Sequence, residues 1–371
     1  MKTSSYIQAL LAAFTLAGGA GAVVEEGEDQ ARFRGSLGLY SKYNSNLELA
    51  SAVVRAREKA FIGEPALDLG LTKSWGTDWW LDLEFSGQAD FHGQHTEENW
   101  YFNRGHLSLV RALGEDALSL SSEIRYFTTP GRDRFDFLRH AGLLSYRKTF
   151  SARWQLRLGC DNIITRYPAS GNFDYSMKGV FAEIRNTWSP GFSTYYSYDF
   201  QAYQGSFDPL ENNPNASPDE GARHTGELGF DWLISGGPTL SGSYLFQSDV
   251  SEKGVRQIGE FEGHEGSQDL EAEFDLGKHK GTLLYSHRLG RRLVLSSYVE
   301  WLRKRFDSED DPPSPRPRRT DALWLSSIHL KFNKSKTLAF RFRYLFRANQ
   351  SSADSQDYHN HLFFLGPEYR F

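Results

Sequence analysis

Phe363-Phe364-Leu365-Gly366-Pro367-Glu368-Tyr369-Arg370-Phe371 closes the 371-residue chain. In steps of two, Phe363, Leu365, Pro367, Tyr369 and Phe371 form one side, and Phe364, Gly366, Glu368 and Arg370 form the other. A strand built from these residues is apolar on one face and mostly polar on the other, because successive side chains point to opposite faces. Two structures share that pattern: the edge strand of a soluble all-β protein, and a strand of a closed barrel that crosses a membrane. The nine residues alone leave both open, so the decision rests on the rest of the chain.

The same alternation recurs after Phe33. Leu118, Leu120, Ile124 and Tyr126 alternate with Ser119, Ser121, Glu123 and Arg125, and the period holds through 79–85, 154–158 and 338–346. A period of two over such stretches indicates half-buried strands, and no amphipathic helix longer than a turn or two is evident. Short turns are expected at 75–78, 113–116, 150–152, 189–191, 235–238, 289–291 and 333–335, marked by Gly, Pro, Asp, Asn and Ser. Longer polar connections lie near 47–61, 91–99, 128–134, 166–174, 204–222, 249–268, 307–320 and 349–358. Short and long connections take turns along the chain, as they do in a barrel with short periplasmic turns and long external loops. The expected fold is therefore all-β, a closed antiparallel transmembrane barrel of about sixteen strands, with fourteen or eighteen as rivals. One stretch disturbs the pattern. Between Leu270 and Leu289 the apolar phase slips around Gly277-Lys278-His279-Lys280-Gly281, which predicts a β-bulge or an extra turn.

Composition agrees with a wet interior. Aromatic residues make up 15% and glycines number 34, yet hydrophobic residues reach only 39%. A barrel with a polar lumen needs only every second strand residue to be apolar, whereas a soluble protein of this length needs a thick apolar core. Lys2, the apolar run Ile7–Leu16 and Ala20-Gly21-Ala22 have the form of a secretory signal peptide, so residues 1–22 are expected to be removed. The organisation is then a signal peptide over 1–22, a periplasmic N-terminal segment over 23–32 and a transmembrane barrel over 33–371. Cys160 is the single cysteine, so the chain contains no intrachain disulfide and no Cys-based metal site; a small outward-facing strand position suits it. A net charge of −5 gives no basic footprint for nucleic acid. Trp75, Trp79, Trp154, Trp188, Phe192, Phe332 and Phe371 gather at short turns, as an interfacial girdle demands, and Tyr126, Tyr167, Tyr203 and Trp301 fall near the far strand ends.

The terminal strand resembles the C-terminal signal of bacterial outer-membrane β-barrel proteins, and the whole chain resembles porin-like barrels of that class. The resemblance implies residence in the outer membrane of a Gram-negative bacterium, with both termini periplasmic. It also implies contact with outer-membrane lipid and lipopolysaccharide, and delivery by the barrel assembly machinery, with Phe363, Leu365, Tyr369 and Phe371 as the assembly signal. A homo-oligomer is compatible with the class, although no trimer face is evident. Gly38–Leu47 is similar to the opening strand of putative β-barrel porins and of the barrel domain of surface-lipoprotein assembly modifiers. The latter also carry a periplasmic helical-repeat domain, for which this chain has no matching segment.

On this architecture the polar phase points into the barrel. The expected pore-lining residues are Lys42, Asp82, Glu84, Glu123, Arg125, Arg157, Asp199, Glu227, Asp231, His329, Lys331, Arg341, Arg343 and Arg347, with Arg370 in the last strand. Acids early in the chain and bases late in it place the two signs on different sectors of the lumen, which gives a transverse field that selects polar solutes by charge and size. The alternative is that these side chains pair and plug the barrel. The acidic run 307–311 reads as a solvated loop, as a divalent-cation contact at lipopolysaccharide, or as a loop folded into the pore. His92, His95, Glu97 and Glu98 are metal-ligand types at close spacing, but they lie on a loop, and no metal or other cofactor is assigned. No Gly-x-Ser-x-Gly elbow exists, and no catalytic residues are assigned. The expected function is a porin-like channel for passive diffusion of small polar solutes. Two alternatives stand beside it: the barrel of a polysaccharide or protein export or assembly system, and an outer-membrane hydrolase.

Overall fold

A computed structural model describes residues 31–45, 60–93, 99–129, 136–168, 174–205, 219–251, 276–306, 320–352 and 358–371. The strands are β1 (Ala31–Asn44), β2 (Ala60–Trp75), β3 (Trp79–His92), β4 (Trp100–Leu113), β5 (Asp116–Thr128), β6 (Phe137–Thr149), β7 (Trp154–Arg166) and β8 (Tyr175–Ser189). The second half supplies β9 (Phe192–Gly205), β10 (Asp219–Leu233), β11 (Thr239–Ser251), β12 (Leu276–Leu289), β13 (Leu293–Phe306), β14 (Thr320–Asn333), β15 (Leu338–Ser351) and β16 (Tyr358–Arg370). Each pairs antiparallel with its sequence neighbour, and β1 pairs with β16, so the sheet closes with no edge. The expected sixteen strands are all present, and the described part of β1 starts at Ala31.

The alternation of residue types becomes an alternation of environments. In β3, Leu83 and Phe85 are exposed on the outside, while Asp82 and Glu84 point to the other face. In β16, Phe363, Leu365 and Tyr369 are exposed, whereas Glu368 is buried. With no aqueous core to hide in, an exposed apolar wall of this kind is a lipid-facing wall. Cys160 is exposed on it.

The turns joining β2 to β3, β4 to β5 and the other up-going pairs are short. Gly114, at φ +70°, lets the two-residue turn after Leu113 reverse directly into Asp116, which most residues with a Cβ resist. Trp75, Trp79, Trp154, Trp188 and Phe332 stand exposed beside these turns. Lys73 Nζ lies 5.0 Å from the Trp75 ring centre and the Arg111 guanidinium 5.2 Å from that of Trp79, so cations and aromatic rings share the headgroup level.

Two expectations are corrected. The stretch 277–281 is neither a bulge nor a turn: it lies inside β12 in unbroken register with β11 and β13. The slip is only apparent, because Gly277, His279 and Gly281 occupy outward positions that a Leu or aromatic residue usually marks; among the described residues the register shifts between Thr187 and Ser189 instead. Tyr167 and Tyr203 do not join an outer girdle. They are buried with Trp100, Phe127, Phe137, Tyr175 and Met177 in an apolar cluster at the long-loop ends of β4 to β9. The chain trace carries their side chains inward, where Phe127 stacks between Trp100 (6.1 Å) and Phe137 (5.6 Å). The signal peptide and the acidic loops fall outside the described residues.

Candidate functional site: the charged inner wall

The inner face of β1 to β3 is built from residues of one parity. Arg34 on β1 reaches over β2 to Glu84 and Asp82 on β3, the latter at 3.9 Å. Asp82 also accepts from Thr72 at 3.0 Å, and Asp68 accepts from Ser36 at 3.2 Å. Nearer the long loops, Lys42 is buried against Glu64 and Asp90, with Nζ 2.8 Å from Asp90 Oδ1. Its ammonium also lies 4.9 Å from the Phe364 ring centre and 5.6 Å from that of Trp100, so this charge is enclosed by two carboxylates and two aromatic faces.

The last strands supply bases. Lys331, Arg341 and Arg370 converge on Glu368, which is 1% exposed; Lys331 Nζ is 2.9 Å and Arg370 Nε 2.8 Å from its carboxylate. His329 faces Arg343 in the ladder, and the Arg343 guanidinium stacks 5.4 Å from the Phe364 ring centre. Arg347 is buried farther up β15.

The middle strands are paired more locally. Glu123 receives Arg125 from its own strand and Arg104 from β4. Arg157 donates to Ser145 at 3.1 Å and lies 5.2 Å from the Phe181 ring centre. Arg185 binds Asp231 at 3.0 Å, Tyr195 donates to Glu227 at 3.0 Å, and Asp199 shares a sector with Asp161, which accepts from Gln201 at 2.7 Å.

All fourteen expected lining residues thus occupy the phase opposite the exposed apolar one, but they do not form two separated walls. The acids of β2 and β3 and the bases of β14 to β16 flank β1 and face one cavity of about 570 Å³, lined among others by Asp68, Glu84, Arg104, Lys331, Arg341 and Glu368. Closure brings the two signs together, and several acids are neutralised on the spot. Glu64, Asp90, Arg34 and Glu368 were missing from the sequence set. Parity could have found Glu368, which sits on the polar side of its strand; Glu64 lies where Gly63, Pro65 and Ala66 blur the alternation. His92 ends β3 with its side chain buried, and His95, Glu97 and Glu98 lie outside the described residues.

No protein-family model and no curated protein matches the chain. Solved structures match in shape. CdiB from Acinetobacter baumannii gives a TM-score of 0.51 at 10% identity, over 91% of this chain and 60% of that one. The anion-selective porin from Comamonas acidovorans gives 0.49 at 11% identity over 93% and 100% of the two chains, and OmpT of Vibrio cholerae 0.48 at 8% over 94% and 100%. The fold is that of a porin-like outer-membrane β-barrel. On a barrel of this fold the short turns and both strand ends lie on the periplasmic side, and the apolar wall faces lipid. At these identities the likeness concerns architecture alone.

The periplasmic mouth of the barrel carries a second cavity. It measures about 630 Å³ and is lined by Arg288, Arg291, Arg292, Lys331, Lys334 and Lys336, among other residues that include no acid. The turns β12–β13 and β14–β15 bring these bases together, and since each turn carries only a few of them, neither stands out as a basic run along the chain.

Proposed function

We propose that the barrel is a passive, porin-like channel for small polar solutes, that it favours anions over cations, and that it is not an enzyme. The basic periplasmic mouth carries this reading: Arg288, Arg291, Arg292, Lys334 and Lys336 meet there without an acidic partner among the described residues. Like charges gathered around a water-filled mouth raise the local concentration of anions and oppose cations. Farther in, the paired acids and bases leave a polar wall that hydrated solutes can touch without desolvating.

Planar-bilayer recording tests it. Purified protein should give discrete conductance steps, and in a salt gradient the reversal potential should lie on the anion side. R291E/R292E/K334E should move that potential toward cations while leaving the barrel folded. Silence until a periplasmic partner is added would turn the reading to an export barrel, and turnover of lipid or peptide by the pure protein would turn it to a hydrolase.

A further inference from the structure

The lipid-facing wall holds a repeated polar cluster that a channel does not require. On β9 and β10, Phe200 lies directly opposite His224, and the Tyr198 hydroxyl sits 2.7 Å from His224 Nδ1. On β11 and β12, Phe246 lies opposite His279, with the Tyr244 hydroxyl 2.6 Å from Nδ1. On β15 and β16, Phe346 lies opposite His361, with the Tyr344 hydroxyl 2.9 Å from Nδ1. The Phe and His ring centres are 5.1, 5.2 and 5.1 Å apart in the three hairpins. The β5–β6 hairpin has a reduced form, in which Ile124 opposes His140 and the Ser122 hydroxyl is 3.0 Å from its Nε2.

Parity puts these side chains outside, in phase with exposed Tyr198, Tyr244, Phe246 and Phe363. Their height is also common. Phe200 is the ninth residue of β9 from the periplasmic turn, and His224 the tenth of β10 counted from the same end. Phe346 and His361 are likewise ninth and tenth, and Phe246 and His279 are eighth and eleventh, one step to either side of the same level. A tilted strand crosses the hydrocarbon core in about 9–11 residues, so these rings emerge at the headgroups of the outer leaflet. Trp301 faces Trp324 at the equivalent place on β13 and β14, as an interfacial level favours.

The chemistry at that level points outward. With the phenol as donor to Nδ1 the neutral imidazole is the Nε2–H tautomer, and the imidazolium presents Nε2–H as well. Among the described residues, no protein atom takes up Nε2 of His224, His279 or His361. A donor left without an acceptor at the edge of hydrocarbon is costly, and the acceptors abundant at this height are phosphate oxygens of the outer-leaflet glycolipid. Exposed Arg303 lies directly opposite His279 on the neighbouring strand and adds a fixed positive charge to one of the three clusters.

We propose that His224, His279 and His361 form three equivalent docking points for the phosphates of lipopolysaccharide. In each, Nε2–H donates to a phosphate oxygen, while the Tyr hydroxyl and the Phe ring hold the imidazole in place. This is independent of transport, and its failure leaves the channel reading untouched.

Native mass spectrometry of the purified full chain with bisphosphorylated lipid A tests it, with dephosphorylated lipid A as the comparison. Wild-type protein should hold the phosphorylated lipid at least about tenfold more tightly, a difference of about 1.4 kcal/mol per decade. H224L/H279L/H361L should lose that preference, and H224Q/H279Q/H361Q, which keeps an N–H donor, should retain most of it. Heat-modifiable mobility on a gel checks that each barrel is closed. Equal binding of the two lipids by wild type, or an undiminished preference in the leucine variant, would overturn the assignment. If the leucine variant fails to fold, the two lipids on wild type and the glutamine variant still decide.

Discussion

Lys42 shows how much one inward position can hold. Its side chain is 2% exposed, and those of Glu64 and Asp90 are 8% and 6% exposed, so an ammonium and two carboxylates meet away from water. Removing one partner of such a group strands the others, which costs about 3–5 kcal/mol. K42M is expected to lower the denaturant midpoint of the barrel refolded in lipid vesicles by that order, and adding E64Q and D90N to K42M should restore most of it. An unchanged midpoint in K42M would mean that the site is wet. Glu368 is the counterpart across the seam. With Lys331, Arg341 and Arg370 around it, E368Q should leave three bases uncompensated and push the reversal potential further toward anions. Lys42 was legible from its parity, but its partners were not: Glu64 on the adjacent β2 is masked by the blurred alternation around it, and Asp90 lies on β3, one strand beyond the ladder neighbour of Lys42.

At the scale of elements, the seam between β1 and β16 is the point of closure. Gly35 and Phe371 exchange backbone hydrogen bonds, each 3.0 Å long. The pairing then breaks between Gly38–Glu368 and Ser41–Leu365, where Pro367 has no N–H to give. The strands also come unusually close: a Cβ on Gly366 would lie 2.0 Å from the Leu39 carbonyl oxygen. G366V should therefore reduce the fraction of heat-modifiable barrel in the outer membrane, whereas G105V, whose added atoms meet open space, should not. Equal amounts of folded barrel in the two variants would show that the seam tolerates separation. Strand existence and order were legible at this scale because period two and turn residues are local signals. The misread stretch 277–281 marks their limit, since Gly and His at outward positions carry no apolar signal even when the strand is regular.

For the whole molecule, the sequence by itself determined an all-β barrel of about sixteen strands, its inside and outside, and the end on which the short turns lie. Those properties follow from side-chain alternation and connection length, both written along the chain. Only the tertiary structure decided which charges meet. Arg34 reaches Glu84 across a strand, three bases from β14 to β16 share Glu368, and acids expected on a separate sector line one cavity with those bases. The basic periplasmic mouth and the three Tyr–Phe–His clusters arise in the same way, from turns and hairpins set side by side. Parity says which face a residue takes, but register and closure set its neighbours, and those are fixed by hydrogen bonds between strands far apart in sequence.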